Sequence, residues 1–239
     1  MSLTTLTVFT LKPGHRRWGL AQMGTSPGEL KKVPGLRFFK LLGSGAANGF
    51  GFWPNLDRYG FMAVWDDAAA AHTFFAQHPL WAGYQRRSAE QWTVHLAPIK
   101  AIGLWDGKTP FAPELTILTL PAAIPESPIA VLTRASIRLR KTPRFWKFVE
   151  PTSAALAQVR GVRAAIGLGE LPVVRQATFS VWESAKAMEE YAYKDARHRE
   201  VMQLTRREKW YAEEMFARFR VLGSIGTLDG REPLAGLLP

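Results

Sequence analysis

Few residues in this 239-residue chain could do metal or nucleophilic chemistry. The chain has no cysteine, which excludes thiolate haem ligation, iron–sulfur clusters and cysteine nucleophiles. No two histidines have the i, i+4 spacing of a helical zinc site, and neither a Gly-x-Ser-x-Gly elbow nor a Walker loop is present. Histidine is thus the candidate metal ligand. The five are His15, His72, His78, His95 and His198.

His198 differs from the other histidines in its neighbours along the chain. Val201, Met202 and Leu204 form an apolar turn that could face a buried pocket. His78 is its rough counterpart in the first half, but Pro79 comes directly after it and interrupts the local helix. The alternative interpretation of His198 is an exposed histidine in a charged segment.

The charge balance predicts an anionic partner. The formal net charge is +11 and the pI is about 10.2, with lysine and arginine spread along the chain. An acidic protein or an anionic lipid surface fits this balance, and no nucleic-acid motif accompanies it. Solvated helix faces are the alternative. No apolar stretch approaches the roughly 20 residues of a membrane helix, and no secretory leader is evident. We therefore expect a cytoplasmic protein, with peripheral contact to the inner membrane as a further option.

An internal repeat organises the chain. Tyr59–Asp67 resembles Gln176–Ser184, and in both an apolar strand ending in Val-Trp precedes an acidic helix start. Gly103–Pro110 resembles Gly226–Pro233, and Pro34–Gly43 resembles Arg160–Gly169. The three matches occur in the same order in both halves, which predicts two copies of one structural unit.

Each half is predicted to run strand, helix, strand, strand, helix, strand, which is the split βαβ order of a ferredoxin-like unit. We assign residues 1–109 to the first unit, 110–128 to a proline-rich linker with an optional edge strand at Leu115–Leu120, and 129–239 to the second unit. Two such units can pack their bare sheet faces together. The predicted fold class is α+β, a pseudo-symmetric barrel of two tandem ferredoxin-like units, its interior either filled or open for a ligand.

The sequence also predicts two particular helices and one glycine-rich loop. Helices are expected at Ala68–Gln85 and Ala185–Tyr193. The glycine-rich segment Gly43–Gly49 comes after a strand without opening a convincing helix, so a dinucleotide site is the weaker interpretation. A strand-to-strand loop at the mouth of a pocket, with Asn48 as a ligand donor, is the stronger one.

Several runs together resemble a known family. The runs are Leu20–Gly24, Lys40–Gly45, Asn48–Phe50, Val64–Asp67, Trp92–Val94, Pro128–Ala135, Gln176–Ser180 and Phe216–Phe219. They are similar to the spheroidene monooxygenases, carotenoid 2-ketolases of purple phototrophic bacteria, and the similarity covers nearly the whole chain. The resemblance implies a reaction of dioxygen and reduced ferredoxin, or a similar acidic electron donor, with spheroidene or a related acyclic carotenoid. A keto group at carbon 2 is the product and haem b the cofactor.

The iron ligand is assigned by analogy. No side chain activates dioxygen alone, so a monooxygenase needs a metal or an organic cofactor. Because cysteine is absent, a histidine-ligated haem is the economical choice. Tandem α+β-barrel haem proteins use a histidine of their second half, which points to His198 as the metal ligand, with the haem enclosed inside the barrel.

Other residues of the second half complete the predicted site. Arg134 is a candidate distal donor or partner of a haem propionate, and Thr178 and Ser180, which alternate on one strand, are candidate catalytic groups facing the cavity. Phe179 and Trp182 are candidate apolar contacts of the cofactor. The alternative for Arg134 is a surface arginine. For Thr178 and Ser180 it is a polar outer strand face, and for Phe179 and Trp182 it is simple core packing.

Three other functions are compatible with the same barrel. They are a haem peroxidase or dehydratase, a cofactor-free oxygenase, and a ligand- or pigment-binding protein without catalysis.

Overall fold

The structure is a computed structural model that describes residues 2–46, 49, 51–111, 127–156, 159–171, 173–194 and 196–238. At 149–155, 193–194 and 196–199 only the backbone is described. The predicted edge strand Leu115–Leu120 and Asn48 lie outside the described residues.

The first half has the predicted order of elements, with its second helix divided in two. The elements are β1 (Leu3–Leu11), α1 (Arg16–Leu30), β2 (Leu36–Gly45), β3 (Pro54–Trp65), α2 (Ala68–Gln77), α3 (Pro79–Arg87) and β4 (Ser88–Gly103). The predicted helix Ala68–Gln85 is interrupted at His78, because the residue before a proline is biased away from helical backbone. His78 is extended, and its Nδ1 accepts a hydrogen bond from the Leu80 amide at 3.2 Å.

The second half repeats this order. The elements are β5 (Ile129–Ile137), a 3-10 turn (Leu139–Lys141), α4 (Thr142–Leu156), β6 (Val162–Leu171), β7 (Arg175–Trp182), α5 (Ala185–Lys194), α6 (Ala196–Arg207) and β8 (Tyr211–Gly226). The predicted helix Ala185–Tyr193 corresponds to α5. A further helix, α6, contains His198 and corresponds to α3 of the first half. In the described part of the chain no helix is long and apolar enough to cross a membrane.

The eight strands close into one antiparallel barrel in the order β1-β3-β2-β6-β7-β5-β8-β4. The predicted α+β barrel of two ferredoxin-like units is confirmed. The halves meet at two seams of unequal length. β4 and β8 pair from Trp92↔Gly226 to Gly103↔Met215, whereas β2 and β6 pair only at Gly43↔Gly169 and Ser44↔Leu168.

The barrel interior is packed core. Side chains alternate between the faces of a strand, and one set of alternating residues from all eight strands forms a single cluster. Its largest members include Trp92, Trp105, Phe111, Phe179 and Phe219, all 0 % exposed. The expectation of a haem enclosed inside the barrel is therefore wrong, because side chains of the described residues already occupy that volume.

The outer face of the sheet carries the helices, and its two halves are packed differently. In the first half one continuous cluster joins the sheet to the helices, with Phe9 stacked on Tyr84 at 4.4 Å and Phe61 near Phe74 at 5.7 Å. In the second half the helix-side core is divided into two separate clusters. The space between them is the candidate site.

Candidate functional site

One row of residues crosses the middle of the second-half sheet on the helix-facing side. Strand pairing aligns Gly167 with Thr178, Thr178 with Thr133, and Thr133 with Phe216. Ala165 of β6 and Phe216 pack with the helix-side cluster of this half, which identifies the face to which the row belongs.

The repeat supplies an internal comparison for this row. The same register in the first half aligns Leu41 with Phe61, Phe61 with Thr7, and Thr7 with Thr93. There the row is covered: Thr7 is 0 % exposed and its hydroxyl lies 2.8 Å from that of Thr93. The first half therefore shows how this surface looks when side chains fill it.

The second-half row is open instead. Thr133 is exposed, although it lies on a strand flanked by β7 and β8 in the centre of the sheet. Gly167 and Thr178 replace the bulky Leu41 and Phe61 of the first half, so less side-chain volume lies under the helices. We call the space above Gly167, Thr178, Thr133 and Phe216 the sheet–helix gap.

Two apolar clusters bracket the sheet–helix gap. The buried members of one are Ile129, Val131, Leu156, Trp182 and Met188, and those of the other are Ile137, Phe145, Leu204 and Trp210. Both clusters join strands to helices, so the helices are anchored on either side of the gap. Ligand sites are usually concave, largely pre-formed and lined mainly by apolar side chains.

Three of the predicted site residues belong to the gap side of the sheet. Thr178 is partly buried in the row itself, and Ser180 is one step further along β7 on the same face. The Trp182 Nε1–H donates to Ser180 Oγ at 2.9 Å, and the Trp182 ring lies 5.4 Å from that of Tyr191. The structure thus brings Thr178, Ser180 and Trp182 together.

Arg134 and Phe179 lie on the opposite face, inside the barrel. Phe179 is 0 % exposed with its ring 6.4 Å from that of Trp92, and Arg134 is 1 % exposed. The structure therefore does not bring these two residues together with Thr178 and Ser180. Neither is a surface residue.

Arg134 is the centre of a buried ion-pair network. Its Nη1 donates to Glu213, its Nη2 donates to Asp106 Oδ1 at 3.3 Å, and Nε and Nη2 donate to Glu170 Oε1 at 3.2 and 3.1 Å. Lys40 donates to Glu170 Oε2 at 2.7 Å and also to Asp106. Arg175 also pairs with Asp106 at 3.3 Å, so three cations face three carboxylates. A buried charge requires such pairing.

The network shifts the titration of two carboxyl groups. Burial by itself would raise the pKa of Asp106, but the hydrogen bond and charge of Lys40, together with Arg134, bring that pKa below its usual value. Burial would also raise the pKa of Glu213. Hydrogen bonds from the amides of Gly107 and Asp106, together with Arg134, outweigh this effect and lower that pKa. Both groups are therefore ionised at neutral pH.

Sequence reasoning missed the carboxylates of this network, although the repeat contains a signal for one of them. Glu213 accepts from the amides of Asp106 and Gly107 at 3.0 and 2.9 Å. In the other half Glu90 accepts from the amides of Asp229 and Gly230 at 3.0 and 2.7 Å. The repeated Asp-Gly turns thus each have a glutamate partner.

Two members of the network have no charged counterpart in the first half. Arg134 and Glu170 stand where the first half has Val8 and Ser44. No sequence pattern marks them as partners, because Glu170 is 36 residues from Arg134 and belongs to another strand.

His198 lies on α6, and its side chain is outside the described part of the structure. Leu204 and Thr205 of the same helix are buried, and Val201 is partly buried. Among the other histidines, His78 caps α3, and burial lowers the pKa of His95 in β4. No group of three or more His, Asp or Glu side chains that could hold a metal ion is present among the described residues.

Two arginines of the second-half sheet have unsatisfied donors. The Nε atoms of Arg163 and Arg218 are buried and have no hydrogen-bond partner within the described ranges. Arg218 pairs across the strands with Val131, beside the gap, and its Nη1 lies 3.5 Å from Glu189. Buried orphan donors on cationic side chains suit the carboxylate groups of a bound ligand. Unpaired donors of this kind match what the propionates of a haem would need.

The glycine-rich loop after β2 closes one edge of the gap. Gly49 has φ +91°, and a Cβ there would lie 2.0 Å from the Gly167 carbonyl oxygen. The loop backbone therefore touches β6 directly beside the row of the gap, and only glycine allows this approach. The predicted position of this loop at the mouth of a pocket agrees with the contact.

The fold defines a class: a tandem ferredoxin-like α+β barrel, here with an exposed sheet position, Thr133, between the two helix-side clusters of its second half. Within it, the chain belongs to the spheroidene monooxygenase family. It is 36% identical over 240 positions to the spheroidene monooxygenase of Cereibacter sphaeroides, covering 100% of this chain and 72% of that protein. It is 37% identical over 218 positions to that of Rhodobacter capsulatus, covering 91% and 89%.

Two further comparisons concern the second half of the chain and the fold. Residues 146–222 match a family described as a domain of unknown function (DUF3291). A crystal structure of aldoxime dehydratase superposes with a TM-score of 0.62 at 10% identity, covering 92% of this chain and 81% of that chain. At that identity the superposition shows the shared fold alone.

Proposed function

We propose that this protein is a haem-dependent monooxygenase that introduces a keto group at carbon 2 of spheroidene or a related acyclic carotenoid, with reduced ferredoxin or a similar acidic protein as electron donor. The spheroidene monooxygenases to which it is 36–37% identical support the reaction class and the substrate. The exposure of Thr133 in the centre of the second-half sheet supports the location of the site.

We propose that haem b lies in the sheet–helix gap with His198 as the iron ligand. Val201 and Thr205 are three and seven positions after His198, and helical residues at these intervals share one face. Thr205 is buried and Val201 packs in the cluster beside the gap. A haem in the gap would thus lie outside the barrel wall, between sheet and helices, rather than within the packed interior.

Other residues hold the cofactor and the reacting end of the substrate on this proposal. Arg163 and Arg218 would pair with the propionates through their unsatisfied Nε donors. Trp182 and Phe216 would provide apolar contacts, and the hydroxyl groups of Thr178 and Ser180 would donate hydrogen bonds to oxygen atoms at the reacting carbon.

Arg134 and Phe179 have a supporting role in this scheme. They belong to the interior face of β5 and β7, directly behind the row of the gap. By fixing these strands they would position Thr133 and Thr178, which face the cofactor. They would not themselves touch it.

The bound haem would supply dioxygen activation, using electrons from the donor protein. The chain would supply a water-poor enclosure, formed by the two apolar clusters beside the gap. The net charge of +11 favours an acidic donor and an anionic membrane from which the carotenoid is drawn.

Thr178→Phe tests the location of the site. It recreates the Phe61 of the first half, which fills the equivalent row. Thr178→Val is the matched control, because it keeps the volume and removes only the hydroxyl. We expect Thr178→Phe to fold, to retain less than a tenth of the wild-type haem and to lose carotenoid-dependent dioxygen uptake. Thr178→Val should keep the haem.

Two outcomes contradict the proposal. Full haem retention by Thr178→Phe would show that haem does not bind in the sheet–helix gap. Conversion of carotenoid without dioxygen uptake by the wild-type protein would indicate a dehydratase or peroxidase instead.

A further inference from the structure

A groove runs along the outer side of the short β2–β6 seam, between α1 and α4. Its volume is about 200 Å³. Its floor includes four glycines, Gly43, Gly45, Gly51 and Gly169, and its walls include Leu20, Met23, Leu56 and Trp146. We call it the seam groove.

Missing side chains give the seam groove its depth. Gly43 and Gly169 are paired across the seam, so backbone forms the floor where two side chains would otherwise stand. A Cβ built on Gly43 meets no atom closer than the Gly169 carbonyl oxygen at 3.8 Å. A longer side chain at this position would occupy the groove without straining the backbone.

The chemistry of the groove selects a neutral, apolar occupant. Glu170 is the one ionisable carboxylate among its lining residues, and both oxygens are engaged: Oε1 accepts from Trp105 Nε1 at 2.8 Å, and Oε2 accepts from Lys40 at 2.7 Å. Among the described lining residues, a charged ligand would find no free counter-ion. The volume is below the roughly 300–1,000 Å³ of sites that enclose a whole drug-sized molecule. A segment of a long, thin chain fits it.

Exposed apolar side chains surround the mouth of the groove. Leu20, Phe52 and Trp53 are 57%, 46% and 74% exposed. The Phe52 ring lies 5.7 Å from both the Trp53 and Trp146 rings, so the aromatic surface continues from solvent into the groove. Contiguous apolar surface of this kind marks a place where an apolar ligand or membrane is met.

The wall formed by the β6–β7 turn is held in an unusual conformation. Val173 lines the groove with φ +74°, a region that β-branched residues avoid. Its carbonyl accepts a hydrogen bond from Trp146 Nε1 at 3.1 Å, which fixes the turn against α4. Such strained residues cluster at ligand sites.

The groove lies next to the sheet–helix gap. Gly169 and Gln176 line the groove and pair with each other, and the adjacent row on the same face is Gly167 with Thr178, which belongs to the gap. Two residues along a strand span about 6.6 Å. The inner end of the groove is therefore one strand step, about 6.6 Å, from the row that contains Thr178.

We propose that the seam groove binds the isoprenoid chain of the carotenoid next to its reacting end, with Phe52 and Trp53 guiding the chain from lipid. The proposal rests on the proposed function for the identity of the ligand. Gly43 is the determinant of chain binding, because the absence of its side chain leaves the groove open.

Gly43→Leu tests this site, with Gly28→Leu as the matched control. Gly28 is exposed on α1, has open space around it and lies outside the groove. The probe is spheroidene in detergent micelles, detected by quenching of tryptophan fluorescence. We expect Gly43→Leu to weaken spheroidene binding at least tenfold with its haem absorbance unchanged, and Gly28→Leu to behave as wild type.

A second variant keeps the test valid if Gly43→Leu fails to fold. Leu20→Gln changes an exposed wall residue and should weaken spheroidene binding several-fold. If Gly43→Leu folds and binds spheroidene as the wild type does, the proposal is overturned. If Gly43→Leu does not fold, unchanged spheroidene binding by Leu20→Gln overturns it. So does the absence of quenching in the wild type. The wild-type protein could hold no haem and still show quenching by spheroidene that Gly43→Leu abolishes. That result would support the seam groove and contradict the haem-dependent function. Failure of the groove proposal and failure of the proposed function are therefore distinguishable.

Discussion

The partners of Arg134 inside the barrel can be identified from the structure but not from the sequence. At this position the first half has Val8, and the sequence alone leaves a surface arginine and a ligand-binding arginine equally open. The structure buries the guanidinium among Asp106, Glu170 and Glu213. These partners come from three separate segments, so no local pattern could have revealed the network.

Replacing Arg134 by methionine is expected to destabilise the protein strongly. The change removes the cation of Glu213 and one of the cations of Asp106 and Glu170, which keep Lys40. Removing one partner of a buried ion pair costs about 3–5 kcal/mol in the free energy of unfolding. Arg175→Met is the control, because that side chain is 40% exposed and pairs with the same Asp106 at 3.3 Å. It should cost less than about 1 kcal/mol. Equal losses in denaturant unfolding of the two variants would contradict the buried role of Arg134.

The same network predicts loss of stability in acid. The pKa values of Asp106 and Glu213 are lowered in the folded protein, so both bind protons more readily when unfolded. Their contribution is complete above the unfolded values near pH 4 and is lost as pH falls through the folded values. Denaturant unfolding between pH 6 and pH 3 should show this decline, and Glu213→Gln should make it shallower. An unchanged slope in Glu213→Gln would refute this assignment.

At the scale of elements, the repeat predicted the order of strands and helices, and local signals account for the differences. Pro79 divides the predicted helix Ala68–Gln85, as its chemistry requires. The helix α6 was missed because charged residues are concentrated in Asp195–Glu200 and hide its apolar face. Whether a helix covers its sheet tightly or leaves a gap depends on residues of several strands, such as Gly167 and Thr178, and cannot be read from one segment.

The β6–β7 turn offers a test at this scale. Val173→Gly removes a side chain from a left-handed conformation and should raise the free energy of unfolding by about 1 kcal/mol. Val174→Gly is the control: its backbone is ordinary, so added chain entropy should destabilise by about 0.5–1 kcal/mol. Urea unfolding of both variants measures the difference. Destabilisation by Val173→Gly equal to that by Val174→Gly would contradict the strain.

At the scale of the whole molecule, barrel closure was predictable but the inner face was not. β1 has apolar residues on both faces, with Leu6 and Val8 inward and Leu3 and Phe9 toward the helices. Alternation of polar and apolar residues therefore could not say which face closes on the other half. The expectation of a haem inside the barrel came from analogy with tandem-barrel haem proteins, whereas the interior of this barrel is packed core.

Each half depends on the other for burial of that core. A fragment of residues 1–111 would expose inward residues such as Leu6, Met62 and Trp92, which are 0 % exposed in the whole chain. We expect this fragment to self-associate or aggregate. Size-exclusion chromatography with light scattering measures this. A folded, monomeric fragment would show that the two halves are independent.

Visible absorption after expression with added haem tests the central claim most directly, using wild type, His198→Ala and His78→Ala. We expect wild type and His78→Ala to be red-brown with an intense band at the blue end of the visible spectrum, and His198→Ala to be folded and colourless. Haem retained by His198→Ala and lost by His78→Ala, or a folded but colourless wild type, would contradict a haem site in the second half.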